Sequence, residues 1–177
     1  PKLFRLTVKG KLNEGIFGTA TINTPSMLAV EDAVDALNWA KSMGGLPALI
    51  ARSEANLDVV KAWVETTPFY SFLAEEPATI SNTSITLSIT DSRFVGLNDT
   101  EKAAIASQVT KRLESEGVAL DAASYREAPP GIRIWAGPTV ETSDIAALLP
   151  WLDWAYAGVA QEKSAEAQSY VFNFGKE

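Results

Sequence analysis

The sequence predicts an α+β (mixed α/β) domain in which helices pack on one face of a small, mostly antiparallel sheet. Three observations predict it. Apolar residues recur at helical spacing in several separate stretches. Period-two alternation is confined to short segments, most clearly Ile85, Leu87 and Ile89 against Thr86 and Ser88. The elements run helix, helix, strand, strand, helix, strand, strand, helix, not the strict strand–helix alternation of a parallel sheet. A chain of 177 residues that is 46% apolar can bury a sizeable core and is too apolar for disorder.

Each element has a local cause. Lys2 to Ile22 carries short apolar alternations broken by Gly10, Gly15 and Gly18, and reads as loops and short strands with little core of their own. Asn23-Thr24-Pro25-Ser26 opens the first helix, with Thr24 as N-cap and Pro25 at the first helical position. Val30, Ala33, Val34, Leu37 and Ala40 form one face, and Gly44-Gly45 ends the helix. A second helix spans about Leu46 to Glu65, with Leu46, Leu49, Ile50, Leu57, Val60 and Val64 as its buried stripe, and Thr67-Pro68 stops it. Strands follow at Phe69 to Leu73 and Ser84 to Thr90. Asn98 and Glu101 stand in capping-box positions ahead of Ile105, Val109 and Leu113, and Gly117 closes that helix. Val118 to Leu120 is predicted as a short strand, and Ile132 to Trp135 as another. The last helix spans roughly Asp144 to Lys163, with Ile145, Leu148, Leu149, Leu152, Tyr156 and Val159 inward. In the tail, Tyr170, Phe172 and Phe174 alternate with Val171 and Asn173, a strand pattern that wants a partner.

Composition excludes whole classes of chemistry. His and Cys are absent, so no Ser-His-Asp triad, thiol nucleophile, Cys/His zinc site or disulfide exists within this chain. The net charge of −7 argues against nucleic-acid binding, which needs clustered Lys and Arg. The longest apolar stretch, Ile145 to Ala160, is broken by Pro150 and Asp153 and is too short to cross a bilayer. The expected location is cytoplasmic. Small-molecule substrates, not nucleic acid or membrane, are the expected partners.

Two places are candidates for chemistry. At Asn23-Thr24 the free N–H groups and positive end of a helix make an anion site, to which the Asn and Thr side chains add donors; the alternative is a helix that is merely capped. Arg133 lies in a strand just after Pro129-Pro130-Gly131, where a guanidinium on rigid backbone can grip a carboxylate with two parallel hydrogen bonds; the alternative is a solvated strand Arg. Glu31, Asp32 and Asp35 read as a solvated helix face, and Trp151 and Trp154 as core or interface packing.

At these two places the chain resembles a known family. Residues 19–31, TATINTPSMLAVE, and 128–154, APPGIRIWAGPTVETSDIAALLPWLDW, look like the carboxy-terminal part of phosphoserine aminotransferase. The resemblance covers about residues 2–160 and implies the small domain of a fold-type I enzyme. It divides the chain into a connecting segment (1–24), the small domain (25–164) and an aromatic tail (165–177). It implies a homodimer that uses pyridoxal 5′-phosphate to pass the amino group of glutamate to 3-phosphohydroxypyruvate, giving phosphoserine and 2-oxoglutarate in serine biosynthesis. Asn23 and Thr24 would then reach the cofactor phosphate of the neighbouring subunit, and Arg133 would hold the substrate carboxylate. Arg126, in the adjoining loop, is a candidate for a second substrate anion. The lysine that bonds the cofactor has no counterpart here, because no Lys stands in the family's Ser-x-x-Lys context. The chain alone is therefore expected not to transaminate. Two alternatives stand: the small domain of an alanine- or serine–glyoxylate-type aminotransferase, and a stand-alone anion-binding or dimerisation module.

Overall fold

A computed structural model describes residues 7–18 and 24–174. The chain divides at residue 46 into two compact units.

In the first unit, β1 (Thr7–Val8) pairs antiparallel with β2 (Lys11–Leu12). Lys9 and Gly10 between them have φ values of 50° and 75°, the two positive angles that a two-residue turn matching strand twist requires. The first helix, α1, spans Met27–Ser42. Its N-cap is Ser26, not Thr24: Ser26 is extended and its hydroxyl accepts from the Ala29 N–H at 3.4 Å. Pro25 accordingly precedes the cap instead of opening the helix. None of the α1 residues is buried. Gly44 and Gly45, at φ 107° and 73°, supply the left-handed backbone that ends it.

The second unit contains α2 (Gly45–Val64, beginning at the division), β3 (Tyr70–Phe72), β4 (Ser84–Ile89), α3 (Ser92–Val95), α4 (Asp99–Ser115), β5 (Ile132–Trp135) and α5 (Thr142–Phe174). The sheet order is β3-β4-β5, antiparallel throughout. The fold is thus mixed helix and small antiparallel sheet, as the periodicities predict. Register places Tyr70 opposite Ile89, Leu87 opposite Ile132 and Ile85 opposite Ile134. These residues fill one face of the sheet, and Ile105, Val109 and Leu113 of α4 with Leu149, Leu152 and Tyr156 of α5 complete the core. Because side chains alternate along a strand, Thr86 and Arg133, which pair across β4 and β5, fall on the opposite face.

Three expectations need correction here. Val118 to Leu120 is not a strand. Gly117, at φ 68°, closes α4, and the Val118 and Ala119 N–H groups turn back to the Leu113 carbonyl at 2.9 and 3.4 Å, so neither is available to a sheet. Pairing with β5 occurs further on, through a single bridge between Ala123 and Ile132. The tail is also not a strand, since α5 continues to Phe174. The intervening Gln-Glu-Lys-Ser-Ala-Glu-Ala-Gln is rich in helix formers, and extending an existing helix avoids a new nucleation step. In α2, finally, Leu46 and Ile50 are exposed, while the polar Ser53 and Asn56 are buried beside Leu57 and Val60.

Two core phenols give the fold an alkaline limit. The Tyr70 hydroxyl donates to the Leu152 carbonyl at 3.1 Å, and burial, with Asp153 and Tyr156 nearby, pushes that phenol far above its ordinary value. Burial, then the Asp91 carboxylate, pushes Tyr156 up to about 12. A phenol raised in the folded state contributes stability that is complete below its unfolded value near 10.0 and is lost as pH climbs through the folded value. The unfolding free energy is therefore expected to fall from pH 10 towards 12, measured by urea titration at fixed pH. Tyr156→Phe should reduce that slope, leaving the part due to Tyr70, and an unchanged slope would remove Tyr156 from its cause.

Candidate anion-binding site

Arg133 is 7% exposed, the one charged residue among the buried ones of the described residues. Strand β5 fixes its backbone: its N–H donates to the Ala122 carbonyl at 2.8 Å, and it pairs with Thr86 on the other side. The close approach of the chain just before it depends on Gly131, where a Cβ would lie 2.2 Å from the Leu87 carbonyl oxygen. The guanidinium is held from several directions. Nε donates to the Ala123 carbonyl at 3.3 Å, and Nη2 donates to the Asp121 carbonyl at 3.2 Å and to Asp121 Oδ2 at 2.7 Å. The Tyr125 ring covers its face, with the centroid 4.5 Å from Cζ. Nη1 makes no hydrogen bond among the described residues.

The sequence pointed to Arg133 through its strand and the preceding Pro-Pro-Gly, and the structure makes it a buried, oriented guanidinium, not a solvated one. Nothing in the sequence marks Asp121 and Tyr125 as its partners. They lie in the irregular segment between α4 and β5, and only the pairing of that segment with β5 brings them to Arg133. Arg126, four residues past Ala122, is exposed and turns elsewhere: it lines a hollow of about 240 Å³ with Ala103, Ser107 and Thr110 of α4, which Arg133 does not line. Tyr125 borders this hollow and also a small recess beside Arg133.

Thr24 is exposed, two residues before the Ser26 cap of α1. Asn23 lies outside the described residues. No acidic residue stands in the first turn of α1, so nothing in that turn repels an anion at the helix start. Trp151 and Trp154 are exposed and pack on each other edge to face, with centroids 5.3 Å apart, and Arg112 stacks on Trp154 at 5.1 Å. Among the described residues no group of three or more acidic side chains is arranged to hold a metal ion, and no helix is long and apolar enough to cross a membrane.

No protein-family model matches the chain. The phosphoserine aminotransferase of Methanosarcina barkeri (strain Fusaro) is 49% identical over 156 residues, which cover 88% of this chain and 40% of that protein. The same-named protein of Methanosarcina mazei is 47% identical over the same shares. The solved phosphoserine aminotransferase from Bacillus circulans subsp. alkalophilus matches with a TM-score of 0.66 at 16% identity, over 81% of this chain and 36% of its own. Another solved phosphoserine aminotransferase, studied for radiation damage of its Schiff base, matches with a TM-score of 0.67 at 17% identity, over 86% and 40%. At these identities the solved structures speak for the fold, and the sequence relatives speak for kinship. In sequence and in fold the chain corresponds to the carboxy-terminal part of phosphoserine aminotransferases, and it spans 40% of the length of the curated relatives it matches.

Proposed function

We propose that this chain is the substrate-gripping part of a homodimeric, pyridoxal phosphate-dependent phosphoserine transaminase of the cytoplasm. The reaction moves the amino group of glutamate onto the keto carbon of 3-phosphohydroxypyruvate, leaving 2-oxoglutarate and phosphoserine. The observation that carries the reading is Arg133, a buried guanidinium whose orientation is fixed by backbone carbonyls and an aromatic face. Such a group binds a planar carboxylate with geometric selectivity that a lysine lacks. The shared name of the relatives favours phosphoserine over the alanine- or serine–glyoxylate alternative.

The residues suit the cofactor in part. Thr24 is an exposed hydroxyl donor just outside a helix start free of acidic residues, which matches a phosphate dianion; Asn23 would add an amide donor. On this reading they hold the phosphate of the neighbouring subunit's cofactor. The cofactor, when bound, supplies the electron sink for amino transfer, and its covalent lysine is not in this chain. What this chain does on this reading is bind: Arg133 fixes the α-carboxylate, while Arg126, which lines a hollow that Arg133 does not, is not assigned to the same carboxylate site.

The test is Arg133→Lys in the intact transaminase. Losing the planar fork should raise KM for both glutamate and 3-phosphohydroxypyruvate about 10- to 100-fold, the range for a charge-assisted hydrogen-bonded pair. Cofactor absorbance should stay unchanged. An unchanged KM would remove Arg133 from the site. The 177-residue chain alone, given cofactor and both substrates, should show no turnover.

A further inference from the structure

We propose that the Asp121 carboxylate is an internal stand-in for the substrate carboxylate, occupying the Arg133 guanidinium in the absence of substrate and yielding it to the incoming anion. The inference rests on the reading of Arg133 as a carboxylate holder and adds a regulatory device to that site.

Three features of the pair argue for displacement. The first is asymmetry: the Arg133 side chain is 8% exposed and that of Asp121 is 83% exposed, although Nη2 and Oδ2 are 2.7 Å apart. The buried guanidinium needs an anion to offset its lost hydration. The exposed carboxylate stays hydrated wherever it points, so releasing it costs little. The second is redundancy. The Ala123 and Asp121 backbone carbonyls already hold Nε and Nη2, and Tyr125 covers the ring face, so the guanidinium keeps its orientation when the Asp121 side chain leaves. The third is position. A carboxylate gripped through the paired ends of the fork needs Nη1 and Nη2 together. Nη1 makes no hydrogen bond among the described residues, and the Asp121 carboxylate sits on Nη2. An incoming carboxylate completes its second bond by taking the place of Oδ2. Asp121 lies outside helix and strand, so its side chain can swing aside without disturbing an element.

A positioning role for Asp121 makes the opposite prediction, which gives the experiment its edge. In the intact transaminase, the half-saturation concentration for L-phosphoserine is read from the change in cofactor absorbance for the parent, Asp121→Asn and Asp121→Ala. Removing the competitor should lower it about two- to fivefold in both variants, the worth of one exposed ion pair. An equal or higher value in both variants, with Arg133→Lys still weakening binding in the parent, overturns the stand-in and leaves the carboxylate assignment intact. Binding unchanged by Arg133→Lys overturns the assignment itself, and the stand-in with it.

Discussion

Gly131→Ala is expected to destabilise the second unit by about 3 kcal/mol, the upper part of the range for forcing an atom into a filled space. The obstacle is backbone: the new Cβ would lie 2.2 Å from the Leu87 carbonyl oxygen and 3.4 Å from its carbon. Leu87 is the register partner of Ile132, in the central strand of the sheet. No rotamer change can relieve the clash, so β5 must move away from β4 by roughly 1 Å to restore ordinary contact. Arg133 follows two residues later and moves with it, so if Arg133 holds a carboxylate as proposed, loss of that binding should accompany loss of stability. Urea unfolding of the variant and the parent measures the first. A difference below about 0.5 kcal/mol, the usual spread for neutral surface changes, would mean the strands do not approach this closely.

Gly158→Ala is the natural control. There a Cβ would come within 2.8 Å of the Arg112 guanidinium, which is the far end of a flexible side chain. Gly158 lies inside α5, where Ala is favoured over Gly by about 1 kcal/mol. The same substitution is thus expected to be costly at one glycine and close to neutral at the other, because the atom in the way differs.

The contrast shows which parts of the molecule are legible in the sequence. Where the cause of a structure lies within a few residues, the sequence reveals it. Asn98 and Glu101 predict a capping box, and both reciprocal bonds form, at 3.0 and 3.1 Å. The alternation over Ser84–Ile89 and Ile132–Trp135 predicts the two paired strands. Neighbouring residues with equivalent chemistry are harder to separate: Thr24 and Ser26 are both good caps, and which one turns extended decides between them. Contacts made across loops leave no local trace. Asp121 reaches Arg133 only because Ala123 bridges Ile132, and nothing in the spelling of 118–125 announces that pairing. The apolar stripe of α2 fails for a related reason. It presumes that buried positions are apolar, and part of this helix is buried against backbone carbonyls instead.

Asn56 is that exception, and Asn56→Ala is expected to cost about 3 to 4 kcal/mol, since it orphans several buried polar groups at once. The side chain is fully buried. Its Nδ2 donates to the carbonyls of Ala136, Gly137 and Val140 at 3.0, 3.3 and 3.1 Å, and its Oδ1 accepts from the Thr142 hydroxyl at 2.6 Å. One amide thereby satisfies the turn that carries the chain out of β5 and into α5. Arg52, one helical turn earlier, holds the same turn from its exposed side, through Nε to the Pro138 carbonyl at 2.7 Å and Nη2 to Glu141 at 2.6 Å. That outer pair is partly solvated, so Arg52→Ala should cost no more than about 1 kcal/mol. Asn56→Asp tests the chemistry more sharply than Ala does. It keeps the volume but replaces the donor with an acceptor facing three carbonyls, so it should be at least as damaging as Ala despite leaving no cavity. If the amide acts through these bonds, Asn56→Ala and Thr142→Val will not add, because the first already removes the partner of the second. A cycle of urea unfolding energies that summed without coupling would assign the cost of Asn56→Ala to lost packing instead.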